Sequence, residues 1–148
     1  MKIEGIIINE ITRINHSKGD IFHVIKDTDI GYKGFGEAYI STIKNGEIKA
    51  WKKHKEMTLN LVVPLGDVRF VFFDDREGSK TKGVFYQIII GINNYIRLTV
   101  PPNIWMGFQA VEEDSYVLNI ANIKHDPKEQ INTSIDDSSI NFNWNEIL

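Results

Sequence analysis

Lys52 and His54 are the two residues of this sequence best suited to acid–base chemistry. They lie in a stretch, residues 46–76, whose pattern predicts a strand, a turn and a second strand. Side chains alternate between the two faces of a strand, so Lys52 and His54 share one face and can reach one ligand. An imidazole titrates near neutral pH and can act as a general base. A lysine would need its pKa lowered by about three units from about 10.4.

The same residues also have a purely structural interpretation. A histidine on a strand face is more often half-buried and structural than catalytic, and His54 alone does not decide between the two. The lysines around it, Lys49, Lys53 and Lys55, are typical of a solvated strand edge that resists aggregation, with Lys52 as the one inward residue. Both interpretations therefore stay open on the pattern alone.

The aromatic and acidic residues near this stretch also allow both a structural and a functional interpretation. Trp51 has the character of a core or interface residue, although an aromatic face also suits a nucleobase or a sugar ring. Glu37 and Tyr39 share one face of the preceding strand, residues 35–43. Alternation does not say whether that face points to the interior or to solvent.

The rest of the chain predicts many short strands. β-branched and aromatic residues are abundant, and turn residues recur at short intervals, at 18–20, 44–46, 65–67, 91–94 and 101–103. This spacing favours a sandwich or barrel, with at most one helical turn at 126–130 that begins with Pro127. We therefore predict one all-β domain over residues 1–148, with a C-terminal turn and tail at 125–148.

A turn signal joins the strand at 35–43 to the strand that carries Lys52. Asn45-Gly46 is a strong hairpin dipeptide, because both residues tolerate positive φ. The sequence therefore predicts that these two strands lie side by side.

Composition restricts the class of partner. The net charge is −3, with 17 basic and 20 acidic residues, which argues against a nucleic-acid binder. The chain has no cysteine, which fits a reducing cytoplasm. The opening residues carry an acid at Glu4, and the apolar run at 6–8 is too short for a signal peptide or a membrane span. We expect a cytoplasmic protein that binds a small molecule.

Two segments match the outline of a cupin metal signature but lack its ligands. Gly46 and Gly66 stand at the expected glycine positions, and His54 at one histidine position. Lys52 replaces the first histidine, no acid follows at residues 57–59, and Met106 replaces the late histidine before Gly107-Phe108. One imidazole does not make a useful transition-metal site, so we predict neither a metal nor another cofactor.

From about Lys18 onward, and above all in residues 46–76 and 96–108, the chain resembles the dTDP-4-dehydrorhamnose 3,5-epimerase family and the neighbouring dTDP-sugar ketoisomerases. The resemblance implies a double-stranded β-helix, that is, a cupin or jelly-roll-like barrel with little helix. It implies action on a nucleotide-linked 4-keto-6-deoxyhexose in the biosynthesis of surface polysaccharide.

The resemblance also assigns roles to residues. The epimerase base position, the histidine of an Arg-Gly-x-His motif, falls on Lys52, and its acid, a tyrosine, falls on Asn119. The supporting aspartate matches Asp137. The ketoisomerase His-x-His pair falls on Lys52 and His54. The catalytic candidates are therefore His54, Lys52 and Asp137. The substrate-binding candidates are Lys49, Trp51, Tyr39, Glu37, Arg69, Asn119 and Met106. Of the basic residues, Lys49, Lys52 or Arg69 could bind a pyrophosphate.

Because the base and acid positions have changed residue type, two functions stay open. One is an epimerase or isomerase of nucleotide sugars, and the other is an inactive relative that binds a sugar nucleotide or assembles with pathway partners. Relatives pair through an N-terminal strand, so the resemblance implies a homodimer that exchanges residues 1–12. The apolar residues Ile3–Ile11 would otherwise leave an aggregation-prone edge.

Overall fold

The computed structural model describes residues 1–146, which are built almost entirely from short antiparallel strands. The one helical element is a 3-10 turn, Pro127–Glu129, with Asp126 as its N-cap. No α-helix is formed within these residues. The strands are β1 Ile7–Glu10, β2 Arg13–Ile14, β3 Ile21–Phe22, β4 Glu37–Ile43, β5 Ile48–His54, β6 Leu59–Leu65, β7 Asp67–Phe73, β8 Phe85–Gly91, β9 Ile96–Val100, β10 Trp105–Ala110, β11 Ser115–Ala121 and β12 Gln130–Asn132.

Ten of these strands form two facing five-stranded sheets. The first sheet has the order β1-β9-β6-β11-β4 and the second β12-β5-β10-β7-β8, while β2 and β3 form a separate ribbon. Inward-facing side chains of both sheets meet in one apolar core that includes Leu61, Phe70, Phe72, Leu98 and Val117. The predicted all-β, double-stranded β-helix is therefore confirmed.

The corner at Gly66 carries the chain from one sheet to the other. β6 belongs to the first sheet and β7 to the second, so the chain must turn sharply between Leu65 and Asp67. Gly66 has a φ of +75°, and a Cβ at this position would lie 2.2 Å from Oγ of Ser115. Only glycine meets both requirements without strain.

The strands β4 and β5 do not form the hairpin that the sequence predicts. β4 pairs with β11 in the first sheet, whereas β5 pairs with β10 and β12 in the second. The turn itself forms, since the amide of Glu47 donates to the carbonyl of Lys44 at 3.0 Å. The prediction of adjacency was wrong because turn chemistry is local, while each strand here finds its partners elsewhere in the chain.

The N-terminal residues complete the first sheet within the same chain. β1 pairs antiparallel with β9, matching Ile7 to Thr99, and Ile3 and Ile6 are fully buried in the core. The apolar N-terminus is therefore covered intramolecularly in this structure. Exchange of residues 1–12 between two copies stays a prediction.

The C-terminal segment covers the outer face of the second sheet. Trp51 and Val71 project outward and pack with Trp105, Ile140 and Trp144 into a second apolar cluster. The predicted turn and tail at 125–148 thus adds a layer to the barrel; residues 147 and 148 lie outside the described part. Within residues 1–146 no helix is long and apolar enough to cross a membrane.

Candidate functional site

A cavity of about 410 Å³ opens between the two sheets, where β5 of the second sheet faces β4 and β11 of the first. Both acid–base candidates, Lys52 and His54, line this cavity, together with residues of β4 and β11 on the opposite wall. Its lining residues are Tyr39, Ser41, Lys49, Ala50, Trp51, Lys52, His54, Leu59, Met106, Phe108, Asn119, Asn132 and Thr133.

A bulge in β5 decides which lysines face this cavity. In the ladder with β10, Lys52 pairs with Met106 but Lys49 pairs with Phe108, so two residues of β5 stand opposite Gly107 alone. Strict alternation would put Lys49 and Lys52 on opposite faces. The extra residue instead brings both to the cavity, and Nζ of Lys49 donates to the carbonyl of Thr42 at 2.6 Å.

His54 is paired with a carboxylate beneath the cavity. Its Nδ1 lies 2.6 Å from Oε1 of Glu129 and 3.1 Å from Oε2, and each residue is only 7% exposed. Glu129 ends the 3-10 turn, and the adjoining strand β12 places Gln130 opposite His54. The carboxylate thus accepts the Nδ1 proton and fixes the orientation of the ring.

With Nδ1 held by Glu129, Nε2 is the ring nitrogen of His54 that can still accept a hydrogen bond. Nε2 is buried and has no hydrogen-bond partner among residues 1–146. Burial lowers the pKa of His54, and the positive charge of Lys52 adds to that effect, while Glu129 opposes it. A neutral imidazole with a fixed Nδ1 proton and an unpaired Nε2 has the properties of a general base.

Lys52 supplies a positive charge beside the histidine. It lines the same cavity, is partly buried, and forms no salt bridge with any residue in the range 1–146. An ammonium group without a carboxylate partner can donate to an anionic oxygen of a ligand. The ammonium of Lys52 and the imidazole of His54 therefore border the same cavity.

Tyr39 and Asn119 form the opposite wall. They are Cα partners in the β4–β11 ladder, and both line the cavity. The amide group of Asn119 donates to Oγ of Ser41 and to the carbonyl of Val117, each at 3.0 Å. Burial raises the pKa of Tyr39, and the charges of Glu37 and Glu129 add to that effect. Tyr39 is therefore a neutral phenol at physiological pH.

The floor of the cavity is apolar. Met106 lies beside Lys52 across the β5–β10 ladder and is 7% exposed. Within residues 1–146 no three His, Cys, Asp or Glu side chains cluster as metal ligands would. A site that needs no metal stays a prediction.

Asp137 does not support the base as the resemblance implied. Its carboxylate accepts from Oγ of Ser139 at 2.6 Å, from the Ser139 amide at 2.8 Å and from the hydroxyl of Thr133. The hydrogen bonds from Ser139 and Thr133 lower the pKa of Asp137 to about 2. Asp137 is not among the cavity-lining residues, so it orders the C-terminal turn, and Glu129 is the carboxylate at the histidine.

Arg69 and Trp51 do not offer their side chains to the cavity. Arg69 projects from the outer face of β7, because Val68 and Phe70 on either side of it fill the core, and its guanidinium donates to Gln87 and to the carbonyl of Trp144. Trp51 borders the cavity, but its ring is 1% exposed and packs 5.3 Å from that of Trp144. Neither is placed to bind a pyrophosphate or stack on a base.

Glu37 is placed near the site without lining it. It shares the inward face of β4 with Tyr39 and contributes to the raised pKa of that phenol. The structure thus gathers His54, Lys52, Lys49, Tyr39, Asn119 and Met106 around one cavity.

The residue at the candidate site that the sequence did not indicate is Glu129. The stretch 125–129 has the features of a capped turn, and the amide of Lys128 does donate to Oδ1 of Asp126 at 2.9 Å. The turn signal indicated a local structure but not its neighbour. No signal in the sequence marks Glu129, because its burial and its contact with His54 depend on the tertiary fold.

A second hollow, of about 500 Å³, lies under the N-terminal loop and has no such acid–base pair. Its most buried polar side chain, Arg97, donates to Asp29, Asn60 and the carbonyls of Val24 and Ile30. All of these contacts are internal to the protein. The buried histidine–carboxylate pair therefore lies at the smaller of these two cavities.

The fold is that of a cupin, with a cavity and a buried histidine–carboxylate pair between its two sheets. A family model described as dTDP-4-dehydrorhamnose 3,5-epimerase matches residues 1–148, and the chain belongs to that family.

Three relatives extend the comparison. The chain is 27% identical over 146 residues to the spore coat polysaccharide biosynthesis protein SpsL of Bacillus subtilis, covering 97% of each chain. It is 33% identical over 84 residues to the probable low-salt glycan biosynthesis epimerase Agl13 of Haloferax volcanii, covering 55% of this chain and 54% of the relative. A dTDP sugar isomerase from Desulfovibrio desulfuricans superposes with a TM-score of 0.92 at 33% identity, covering 96% of this chain and 92% of the other.

Proposed function

We propose that the protein is a nucleotide-sugar epimerase or isomerase that acts on a dTDP-linked 4-keto-6-deoxyhexose in polysaccharide biosynthesis. The observation that carries the proposal is the buried His54–Glu129 pair at a cavity of about 410 Å³, with Nε2 of His54 left without a partner among residues 1–146. Membership of the epimerase family and the names of the relatives support the substrate class.

The proposed chemistry is proton abstraction beside a ketone. Nε2 of His54 removes a proton from the carbon next to the keto group, the C–H electrons form a carbon–carbon double bond, and the ketone oxygen becomes an enolate oxygen. Glu129 stabilises the imidazolium that forms. The Lys52 ammonium compensates the charge on the oxygen, which is the largest single requirement of such a step.

The nucleotide portion needs a separate contact. Lys49 lies on the same strand as Lys52 and is exposed, and within residues 1–146 its ammonium donates only to the backbone carbonyl of Thr42. It is the basic residue that we assign to a phosphate of the substrate, which lysine binds as a point charge.

Solvent exchange tests the proposal. We expect the protein to exchange carbon-bound hydrogen of dTDP-4-keto-6-deoxyglucose with deuterated water, as followed by proton NMR and mass spectrometry. His54→Ala should abolish exchange while dTDP still binds, because the base acts on the sugar and not on the phosphates. His16→Ala, which removes an exposed histidine, is the matched control. Wild-type protein that binds dTDP but exchanges no hydrogen would refute the proposed activity.

The alternative is a binding protein without turnover. It is favoured by one observation, namely that the two positions the resemblance assigns to base and acid carry Lys52 and Asn119. The same experiment separates the two functions, since a binder retains dTDP affinity and shows no exchange in any variant.

We also assign the protein to the cytoplasm, as a homodimer that needs no metal. The homodimer rests on the family resemblance, and light scattering at micromolar concentration should give about twice the mass of the 17.0 kDa chain. Exchange activity should survive treatment with a chelator. A monomer, or loss of activity on chelation, would contradict the respective assignment.

A further inference from the structure

Asn119 and Ser41 form a connected polar pair on the first-sheet wall of the cavity. They lie on the neighbouring strands β11 and β4, and both line the cavity. The NH₂ group of Asn119 donates to Oγ of Ser41 and to the carbonyl of Val117, each at 3.0 Å. The two strands therefore hold both side chains in fixed positions, and the proposed proton abstraction uses neither of them.

The orientation of the Asn119 carboxamide follows from its partner in the backbone. A backbone carbonyl can only accept, so the nitrogen end of the amide must face Val117. The ladder between β11 and β6 shifts register between Tyr116 and Leu118, and Val117 lies at this irregularity. Oδ1 of Asn119 accepts no hydrogen bond from residues 1–146 and, unlike Nε2 of His54, retains contact with solvent. Asn119 therefore offers a hydrogen-bond acceptor to a ligand in the cavity.

Ser41 offers a donor beside that acceptor. Its Oγ accepts from Asn119, and no acceptor among residues 1–146 takes the hydroxyl proton. A serine hydroxyl can donate one hydrogen bond while it accepts others, and accepting one from an amide makes it a stronger donor. The proton of Ser41 is therefore left for a ligand.

An acceptor and a donor side by side are complementary to one hydroxyl group. A ligand hydroxyl can donate to Oδ1 of Asn119 and accept from Oγ of Ser41 at the same time. A ligand that carries hydrogen in place of this hydroxyl would leave both protein atoms unpaired in a confined space, which is costly. The nearby apolar residues Leu59, Met106 and Phe108 cannot pair with them instead.

We propose that Asn119 and Ser41 bind one ring hydroxyl of the sugar, and that they select a sugar nucleotide that retains this hydroxyl over its deoxy analogue. The inference rests on the proposed function for the class of ligand. His54 and Lys52 act from the second sheet, whereas Asn119 and Ser41 hold the ring from the first. The pair is thus a determinant of specificity, and the contact places the reacting carbon before the base.

Binding without turnover tests the inference. The probes are dTDP, dTDP-6-deoxyglucose, which has no ketone to react, and the two analogues of that sugar that lack the hydroxyl at C2 or at C3. By calorimetry, we expect one of the two analogues to bind the wild type about tenfold or more weakly than the parent sugar nucleotide. In Ser41→Ala and in Asn119→Leu the ratio should fall below about threefold, while the affinity for dTDP stays at the wild-type value.

Thr42→Val is the matched control, because it removes a hydroxyl from the exposed outer face of the same strand and should keep the wild-type ratio. Equal binding of the parent and both analogues by the wild type would overturn the inference and leave the proposed function intact. A ratio unchanged in both variants would also overturn it. Loss of dTDP binding in both would do the same, since the pair would then support the structure of the site.

The inference and the proposed function can fail separately. A protein that discriminates the hydroxyl through Ser41 and Asn119 but exchanges no hydrogen with solvent would refute the proposed turnover and support the subsite. A wild type that binds neither dTDP nor dTDP-6-deoxyglucose would overturn both.

Discussion

Nδ1 of His54 lies 2.6 Å from Oε1 of Glu129, although 75 positions separate the two residues in the chain. Both side chains are buried, so the contact is protected from water and from screening by salt. The pair joins the end of β5 to the 3-10 turn that precedes β12. The tertiary fold thus sets the orientation of the imidazole. A substitution of Glu129 should therefore change the orientation and the pKa of His54.

Glu129→Gln should reduce kcat/KM for the exchange reaction by roughly 100-fold or more, because a neutral amide neither fixes the tautomer nor stabilises the imidazolium. Glu129 also raises the pKa of His54 by its hydrogen bond and charge, so its loss should move the acid limb of the pH–rate profile to lower pH. Steady-state kinetics over pH measures both effects. Glu112→Gln, at an exposed loop residue, is the control, and an unshifted acid limb would contradict the assignment.

The wild-type pH profile follows from the same pair. Burial lowers the pKa of His54 below its ordinary 6.5, and the base must be neutral to act. We therefore expect the midpoint of the acid limb of kcat/KM to lie below pH 6.5. An acid limb with its midpoint above 6.5 would show that a different group, or a histidine with a raised pKa, carries the reaction.

His54 should also make the free energy of unfolding depend on pH. The pKa of His54 is lower in the folded protein than in the unfolded chain. The unfolded chain therefore binds a proton near pH 6.5, whereas the folded protein binds it only at lower pH. Stability is therefore lost as pH falls from 6.5 towards the folded pKa. Urea unfolding at several pH values should show a shallower dependence in this range for His54→Gln than for wild type. Equal slopes in the two proteins would contradict the depressed pKa.

Lys52→Gln tests the role of the cavity cation. If the ammonium compensates the enolate oxygen, its loss should lower kcat by roughly 100-fold with a smaller effect on dTDP affinity, since the charge appears only as the proton leaves. Lys33→Gln, at an exposed loop position, is the control. A variant that loses dTDP binding but keeps kcat would place Lys52 at the phosphates.

Much of the fold could be predicted because its strands carry strong local patterns. The alternation of Leu59, Leu61 and Val63, and the apolar strand ending at Phe73, match β6 and β7, and Gly66 forms the corner between them. The positions of these strands and of the corner follow from which residues are apolar, and do not require knowledge of which strands pair. Pattern alone is sufficient for them.

The candidate site was predictable only in part, because three of its determinants are not local. Strand pairing overrode the Asn45-Gly46 signal, since β4 and β5 belong to different sheets. A bulge opposite Gly107 turned Lys49 towards the cavity against strict alternation. Glu129 reached His54 through a turn distant in sequence, whereas the aspartate chosen by resemblance bonds to its own turn.

The corner at Gly66 offers a test of the architecture that does not depend on the site. Gly66→Ala must adopt a φ of +75° and must place its Cβ 2.2 Å from Oγ and 2.8 Å from Cβ of Ser115. The left-handed conformation costs about 1–2 kcal/mol for a residue with a Cβ, and the displacement of Ser115 adds a further cost of about 1–3 kcal/mol.

Gly46→Ala is the matched control for that substitution. Its φ is +74°, but nothing lies within 4 Å of the added Cβ, so it should cost the conformational term alone. We expect thermal unfolding to show a loss of Tm for Gly66→Ala that exceeds the loss for Gly46→Ala by several degrees, since about 1 kcal/mol corresponds to roughly 2–4 °C in a domain of this size. Equal losses would mean that the β6–β7 corner does not pack against Ser115 of β11, and that the two sheets meet differently at this end of the barrel.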